Sequence, residues 1–204
     1  MINTAPHIVK RNGTRELLNI DKIHFVVEEA CKGLAGVSSS QIEMNANLQF
    51  YDGMSTDEIQ EILVRSANDL ISLDAPNYQY AASRLLSYSL NKQVFGRYEA
   101  VPLRQMIQQN VDRGVYDAEI LEKYTDEEIE RLDSYIHHKR DENFTYAGMR
   151  QVVDKYLCQD RSSGEIFETP QYMYMMIAAT LFANYPAETR MHYVRRYYDA
   201  TSLF

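Results

Sequence analysis

The sequence predicts a mostly α (α+β) chain: a small β-ribbon on four helices, followed by an all-helical segment with one short hairpin. Three observations carry this. An Asn12-Gly13 turn separates two short runs near the N-terminus, apolar residues recur at a 3.6-residue period through most of the remaining chain, and capping-box patterns start helices at Ser55 and Thr125. Asn and Gly tolerate the positive φ that a two-residue hairpin turn requires, so Val9, Lys10 and Arg11 are expected to face Arg15, Glu16 and Leu17. Asn19 then caps a helix over 20–34 whose inner face is Ile23, Val26, Val27 and Ala30, with Gly33 and Gly36 near its end. A second helix runs from Ser40. Asp52-Gly53 is a turn, and Ser55-Thr-Asp-Glu58 opens a third helix with the stripe Ile59, Ile62, Leu63, Ala67, Leu70 and Ile71. Asp74-Ala-Pro76 interrupts the pattern and restarts it, because proline is tolerated in a first helical turn. Tyr80, Leu85, Leu86 and Val94 run down this fourth helix to Gly96.

A change of rhythm near 97–101 divides the chain into 1–97 and 98–204. In the second part, Pro102–Val111 reads as a helix stopped by Gly114, and Thr125-Asp-Glu-Glu128 leads another through Ile129, Leu132 and Ile136. Phe144–Tyr156 continues the helical pattern. Residues 157–160 and 165–168 flank Arg161-Ser-Ser-Gly164 as a short exposed hairpin. Pro170 opens a helix over Tyr172–Phe182 that is apolar on nearly every face, and Pro186 opens a last one over Thr189–Ala200. The first of these wants partners all round, more than the remaining helices of the chain are expected to give.

A formal net charge of -8, from 21 Lys and Arg against 29 Asp and Glu, excludes general nucleic-acid or anionic-membrane binding, which needs an excess of cations. Any phosphate site must be local. Cys31 and Cys158 lie far apart with no CxxC, so neither a disulfide framework nor a zinc site is indicated. The chain shows no signal core and no apolar run long enough to span a membrane, and a cytoplasmic setting is the expectation. The opening segment is where a local anion site can form: Lys10, Arg11 and Lys22 supply charge-assisted hydrogen bonds beside a helix start, whose N–H groups favour negative charge. Read from the residues alone, the same cations also fit a solvated surface hairpin.

The opening segment, with Phe50-Tyr-Asp-Gly53, Thr56-Asp57, Ala75-Pro-Asn-Tyr-Gln-Tyr-Ala-Ala82 and Lys92-Gln-Val-Phe-Gly-Arg-Tyr-Glu99, resembles the ATP-cone of class I ribonucleotide reductase large subunits. The resemblance continues through His137-His-Lys-Arg-Asp141, Phe144-Thr-Tyr146, Lys155-Tyr-Leu157, Gly164-Glu-Ile166, Glu168-Thr-Pro-Gln171 and Arg195-Arg-Tyr-Tyr-Asp-Ala200, the helical region before that family's catalytic barrel. It covers almost the whole chain and is similar in particular to bacterial and T4-like phage members, which implies a bacterial or phage-infected cell. In that family the cone binds ATP or dATP as an overall activity switch, with Mg2+ accompanying the nucleotide. The resemblance implies that Lys10 and Arg11 contact phosphates and that the stretch Glu16, Leu17, Leu18, Asn19, Ile20, Asp21, Lys22 wraps the nucleotide. Glu16 and Asn19 would read base or ribose edges, Lys22 would meet the phosphates, and Thr56 and Lys92 would complete the site. Two departures stand out: Gln60 where bacterial relatives carry His, and Glu29 where some carry Trp. Gln cannot become cationic and a carboxylate repels a second nucleotide, so one nucleotide per cone is expected.

Other residues have plainer roles. His137 and His138 are adjacent, so on a helix they point about 100° apart, and no third ligand is evident. Cys31 and Cys158 read as small buried hydrophobes, and Ser38-Ser-Ser40 as a loop and helix cap. The family's radical and redox cysteines lie downstream of the matched residues, so the chain is expected to be inactive alone and to act as part of a ribonucleoside-diphosphate reductase complex. It is either an isolated domain piece or a natural piece of a split large subunit. The implied partners are the barrel-containing remainder of the large subunit and the small radical-generating subunit. The alternative is a structural docking module whose cone no longer binds nucleotide. A cone-bearing transcriptional repressor is disfavoured, since it would need a zinc ribbon.

Overall fold

Ile8 and Met54 are the apolar hinge of the first half: both are buried, and they face each other across two paired strands. The computed structural model describes residues 6–203. These form two compact units, one made of the chain through Ser89 plus Phe144–Arg150, the other of Leu90–Asn143 plus the chain from Gln151.

The first unit holds a three-stranded sheet in the order β2-β1-β3, from β1 (His7–Val9), β2 (Arg15–Leu17) and β3 (Met54–Ser55). β1 and β2 are antiparallel, with Ile8 opposite Glu16 and Val9 opposite Arg15. β3 is parallel to β1, pairing Ile8 with Met54 and Val9 with Ser55. The sequence pattern did not reveal β3, because two residues are too few to show an alternation. The hairpin also differs from the expected two-residue turn. Gly13 is at φ +80° while no non-glycine residue among those described has positive φ, so Asn12 does not adopt the conformation that turn demands. The chain instead bends over Lys10–Gly13, closed by Gly13 N donating to Lys10 O at 2.8 Å, and Lys10 N donates to Thr14 O across a three-residue loop. Asn12 serves through its side chain, whose Oδ1 accepts from Thr14 N at 3.0 Å and Thr14 Oγ1 at 2.7 Å.

Around the sheet stand α1 (Ile20–Cys31), α2 (Ser39–Asn47) and α3 (Thr56–Asn68), followed by α4 (Tyr78–Phe95), within which the division between units falls. Asn19 caps α1, Ser38 caps α2, and Ser55 with Glu58 forms the expected capping box on α3. The core gathers Val27, Ala30, Ile42, Leu63 and Leu85. Two polar ties lock the helices. The Tyr78 hydroxyl accepts from Ser38 N at 3.0 Å and donates to Gln41 Oε1 at 2.6 Å. Arg84 Nη1 donates to Ala30 O and Lys32 O, satisfying carbonyls that the end of α1 leaves without partners.

The second unit contains α5 (Leu103–Asp112), α6 (Glu119–Lys123), α7 (Asp126–Asp133), a 3-10 segment His138–Asn143, α9 (Pro170–Phe182) and α10 (Ala187–Ser202). The division between units also crosses α8 (Tyr146–Lys155). The expected hairpin is present as a single antiparallel bridge between Gln159 and Ile166. Ile136 lies beyond the end of α7, not on it. α9 finds more company within the chain than its composition led us to expect: Tyr172, Met175, Ala178 and Ala179 pack into one cluster with Leu103 and Ile107 of α5, Ile129 and Leu132 of α7, and Val194 and Tyr198 of α10. Only a stripe is left over, with Ile177 42% and Leu181 55% exposed.

The large polar side chains inside this unit are paired. Tyr124 Oη donates to Ala179 O at 2.7 Å, and Tyr172 Oη donates to Val101 O. Arg190, stacked over the Tyr124 ring, donates from Nε to Glu128 at 2.9 Å. Glu128 also completes the Thr125 capping box. Burial acts to raise its carboxyl, but Arg190 and the Thr125 N–H together hold it below the usual range.

Asp141 is buried, and burial pushes its carboxyl up to about 7 against a hydrogen bond of 2.8 Å from Gln171 Nε2. The Gln171 Oε1 in turn accepts from Tyr198 Oη at 2.6 Å. Because the folded value lies above the unfolded one, the folded state binds the extra proton between about pH 4 and 7, and this group's stabilising contribution is lost as pH rises through that window. Asp141→Asn keeps the acceptor for Gln171 without the ionisable proton. We expect its unfolding free energy, measured in urea from pH 4.5 to 8, to lose this downward component relative to the native chain. Parallel profiles for the two proteins would refute the assignment.

Candidate functional site

Strand parity decides what the ribbon presents. Ile8 and Glu16 are directly opposed and share a face, and Lys10, two residues past Ile8, falls on the same side. Lys10 Nζ lies 2.7 Å from Glu16 Oε2. This hydrogen bond, with the charges of Lys10 and Lys22, holds the Glu16 carboxyl below its ordinary value. Lys22 sits in the first turn of α1, where its backbone N–H donates to the Asn19 cap at 3.0 Å.

Topology brings a second helix start to the ribbon. β2 runs away from the turn, so α1 begins at the far end of the ribbon from Arg11. The parallel strand β3 runs with β1, and it delivers the start of α3, with Thr56 as its first residue, to the end where Lys10 and Arg11 stand. The N-terminus of α3 is therefore the helix end beside Lys10 and Arg11. Arg11 reaches it directly, with Nε donating to Asp57 Oδ1 at 2.9 Å and Nη2 to the same oxygen. A second carboxylate, Asp52, accepts from His7 N at 2.7 Å and pairs with Arg15 at 3.3 Å on the outer edge. Neither carboxylate partner was legible in the sequence. The signal that locates Asp57 is the parallel register of β3, which the sequence does not display.

The rest of the predicted stretch divides by exposure. Leu18 is buried in the core and its N–H donates to Pro6 O at 2.8 Å, so its side chain is not available to a ligand. Leu17 and Ile20 are exposed, as is Asp21. Gln60 stands one helical turn beyond Thr56 on α3, and its Oε1 is buried with no hydrogen-bond partner. Glu29 pairs with Lys32 Nζ at 3.1 Å. Lys92, late in α4 and in the second unit, holds its Nζ 4.2 Å from the centre of the Tyr98 ring.

The thiols are not poised for nucleophilic work. Burial pushes Cys31 up to about 11 and Cys158 up to about 12, the latter aided by the nearby Glu168 carboxylate. Glu168 is itself buried between Cys158 N, which donates at 2.9 Å, and the Tyr116 hydroxyl. His138 lies edge-on to the Tyr172 ring with centroids 5.0 Å apart, and burial holds its imidazole below the ordinary value.

Comparison with known proteins finds two domain matches. Residues 6–93 match the ATP cone domain, and residues 142–204 match the ribonucleotide reductase all-alpha domain. The chain is 47% identical over 203 residues to ribonucleoside-diphosphate reductase 1 subunit alpha of Salmonella typhimurium and 47% identical over 197 residues to that of Escherichia coli. It is 39% identical over 198 residues to the subunit alpha of Enterobacteria phage T4. These alignments take in 96 to 100% of this chain but only 26 to 27% of the relatives, so the chain spans about a quarter of the length of the curated proteins it matches. With both domain matches in order along one chain, it carries the N-terminal ATP cone and all-alpha domain of a class I ribonucleotide reductase alpha subunit.

Proposed function

We propose that this chain is the regulatory and docking portion of a ribonucleoside-diphosphate reductase large subunit, binding ATP or dATP in its cone. The observation that carries the reading is the meeting of Lys10, Arg11 and Thr56 at the N-terminus of α3, within residues that match an ATP cone. Positive side chains and free helix-end N–H groups together suit a triphosphate. Glu16 and the Asn19 cap offer hydrogen bonds to base or ribose, and the unpartnered Gln60 Oε1 is an acceptor matched to an amino or hydroxyl donor. The family resemblance alone adds Lys92, Asp21 and the backbone of Leu17, Leu18 and Ile20. Mg2+ would accompany the nucleotide as counter-charge on its phosphates.

In the same reading the helical unit docks onto the barrel-containing remainder of the large subunit, which converts ribonucleotides to deoxyribonucleotides with the small radical-generating subunit. The exposed Ile177 and Leu181 support this, since they border a cavity of about 590 Å3 walled by Met173, Met176 and Tyr116. An apolar stripe beside an open cavity is a surface that a partner can cover.

Isothermal calorimetry tests the first claim. ATP and dATP should bind the folded chain with Mg2+ present, and Lys10→Ala should weaken binding by about tenfold or more, the worth of one charge-assisted hydrogen bond. Lys92→Ala should weaken it as well. A folded chain that binds neither nucleotide leaves only the alternative, a docking module with a silent cone. Co-purification with the barrel-containing remainder tests the second claim. Leu181→Asp and Ile177→Asp should each reduce capture while leaving the nucleotide titration unchanged, and undiminished capture by both variants would remove α9 from the interface.

A further inference from the structure

Lys10 and Arg11 are both already engaged by carboxylates. Lys10 is on Glu16, and Arg11 places Nε and Nη2 on a single oxygen of Asp57. The second pair is unusual in its placement. Asp57 is the second residue of α3, so its carboxylate occupies the anion-favouring end of the helix, where the dipole and the first-turn N–H groups attract negative charge. It is also solvent-washed: the Arg11 side chain is 38% exposed and that of Asp57 59%. Ion pairs this exposed are weak and exchange readily.

We propose that Asp57 is a built-in surrogate anion, holding Arg11 in the nucleotide-free cone until a phosphate of the incoming nucleotide displaces it. The inference rests on the nucleotide reading above. Binding is then an exchange: the Arg11–Asp57 hydrogen bonds break, Arg11–phosphate hydrogen bonds form, and Asp57 is left as a like charge beside the phosphates. Two consequences distinguish this from a pair that merely orients Arg11. Removing the carboxylate charge releases Arg11 and removes the repulsion, so affinity rises instead of falling. The gain also depends on Arg11 being present.

The experiment is calorimetric titration of the full chain with ATP and Mg2+, at two salt concentrations, for the native protein, Asp57→Asn, Arg11→Ala and the double variant. Asn is accepted in a first helical turn, and Asp57→Ser provides a second uncharged variant should Asn disturb folding. Asp57→Asn should bind ATP about two- to fivefold tighter, the range set by an exposed ion pair, and lose affinity more steeply with salt. In the Arg11→Ala background the same substitution should leave affinity nearly unchanged. Unchanged or weaker binding by Asp57→Asn would overturn the proposal while the nucleotide site stands, as would an equal gain without Arg11. Absence of binding by every protein would instead remove the nucleotide reading, and this proposal with it.

Discussion

The parallel pairing of β1 with β3 is the constraint on which the first half of the molecule depends. It consists of only two residue pairs, Ile8 with Met54 and Val9 with Ser55. Ile8 and Met54 supply the apolar seal, and the Gly53 N–H donating to His7 O at 2.8 Å extends the pairing by one step. Because the strands run the same way, the chain leaves β3 into α3 at the end where β1 enters its turn. Cations from one segment and a helix N-terminus from another, distant in sequence, are thereby made neighbours. An antiparallel β3 would put the same helix start at the opposite end, away from Lys10 and Arg11.

Much of the fold was legible because it follows from local chemistry. Capping boxes at Ser55 and Thr125, the Asn19 cap and the proline opening α9 all mark helix starts where the structure has them. What the sequence hid was non-local or too short. β3 has no periodicity to read, and the hairpin register turned on whether Asn12 or only Gly13 takes positive φ, a choice that dipeptide preference leaves open. The candidate site shows the same split. Lys10, Arg11 and Lys22 stood out as cations and Glu16 was expected on the facing strand, yet Asp57, the partner of Arg11, emerged only with the register of β3. Leu18 lay inside the expected ligand-wrapping stretch, but parity sends its side chain to the core.

The second unit is organised on a different principle. Here a nearly uncharged helix, α9, is surrounded by shorter amphipathic ones, and the large polar side chains that this arrangement traps are satisfied one by one. Tyr124 and Tyr172 each bring a large apolar ring and place the hydroxyl on a backbone carbonyl. Glu128 serves the start of α7 and the guanidinium of Arg190 at once, so one carboxylate joins α7 to α10. Such double use makes the pairing costly to break, because removing Glu128 leaves the buried Arg190 guanidinium without its carboxylate and the start of α7 without its cap. The leftover stripe at Ile177 and Leu181 differs in kind, since it has no polar atoms to satisfy and only apolar area to cover.

Under the proposed reading, the weakness of the cone's ion pairs is itself functional. A sensor shifts an equilibrium only by the difference in a ligand's affinity for two states, so binding free energy consumed in breaking strong internal contacts is not available for coupling. Solvent-exposed pairs such as Arg11–Asp57 and Lys10–Glu16 contribute little to stability, and a triphosphate recovers more from the same cations. They nevertheless keep the guanidinium and ammonium near their working positions, which limits the side-chain entropy lost on binding. A part-buried pair like Arg190–Glu128 would be a poor choice there, because exchanging it would disrupt a helix cap and the packing around Arg190 together. The chain thus places its more exposed pairs at the candidate nucleotide site and a less exposed, cap-sharing one in its helical scaffold, a distribution that suits reversible sensing in one unit and a fixed platform in the other.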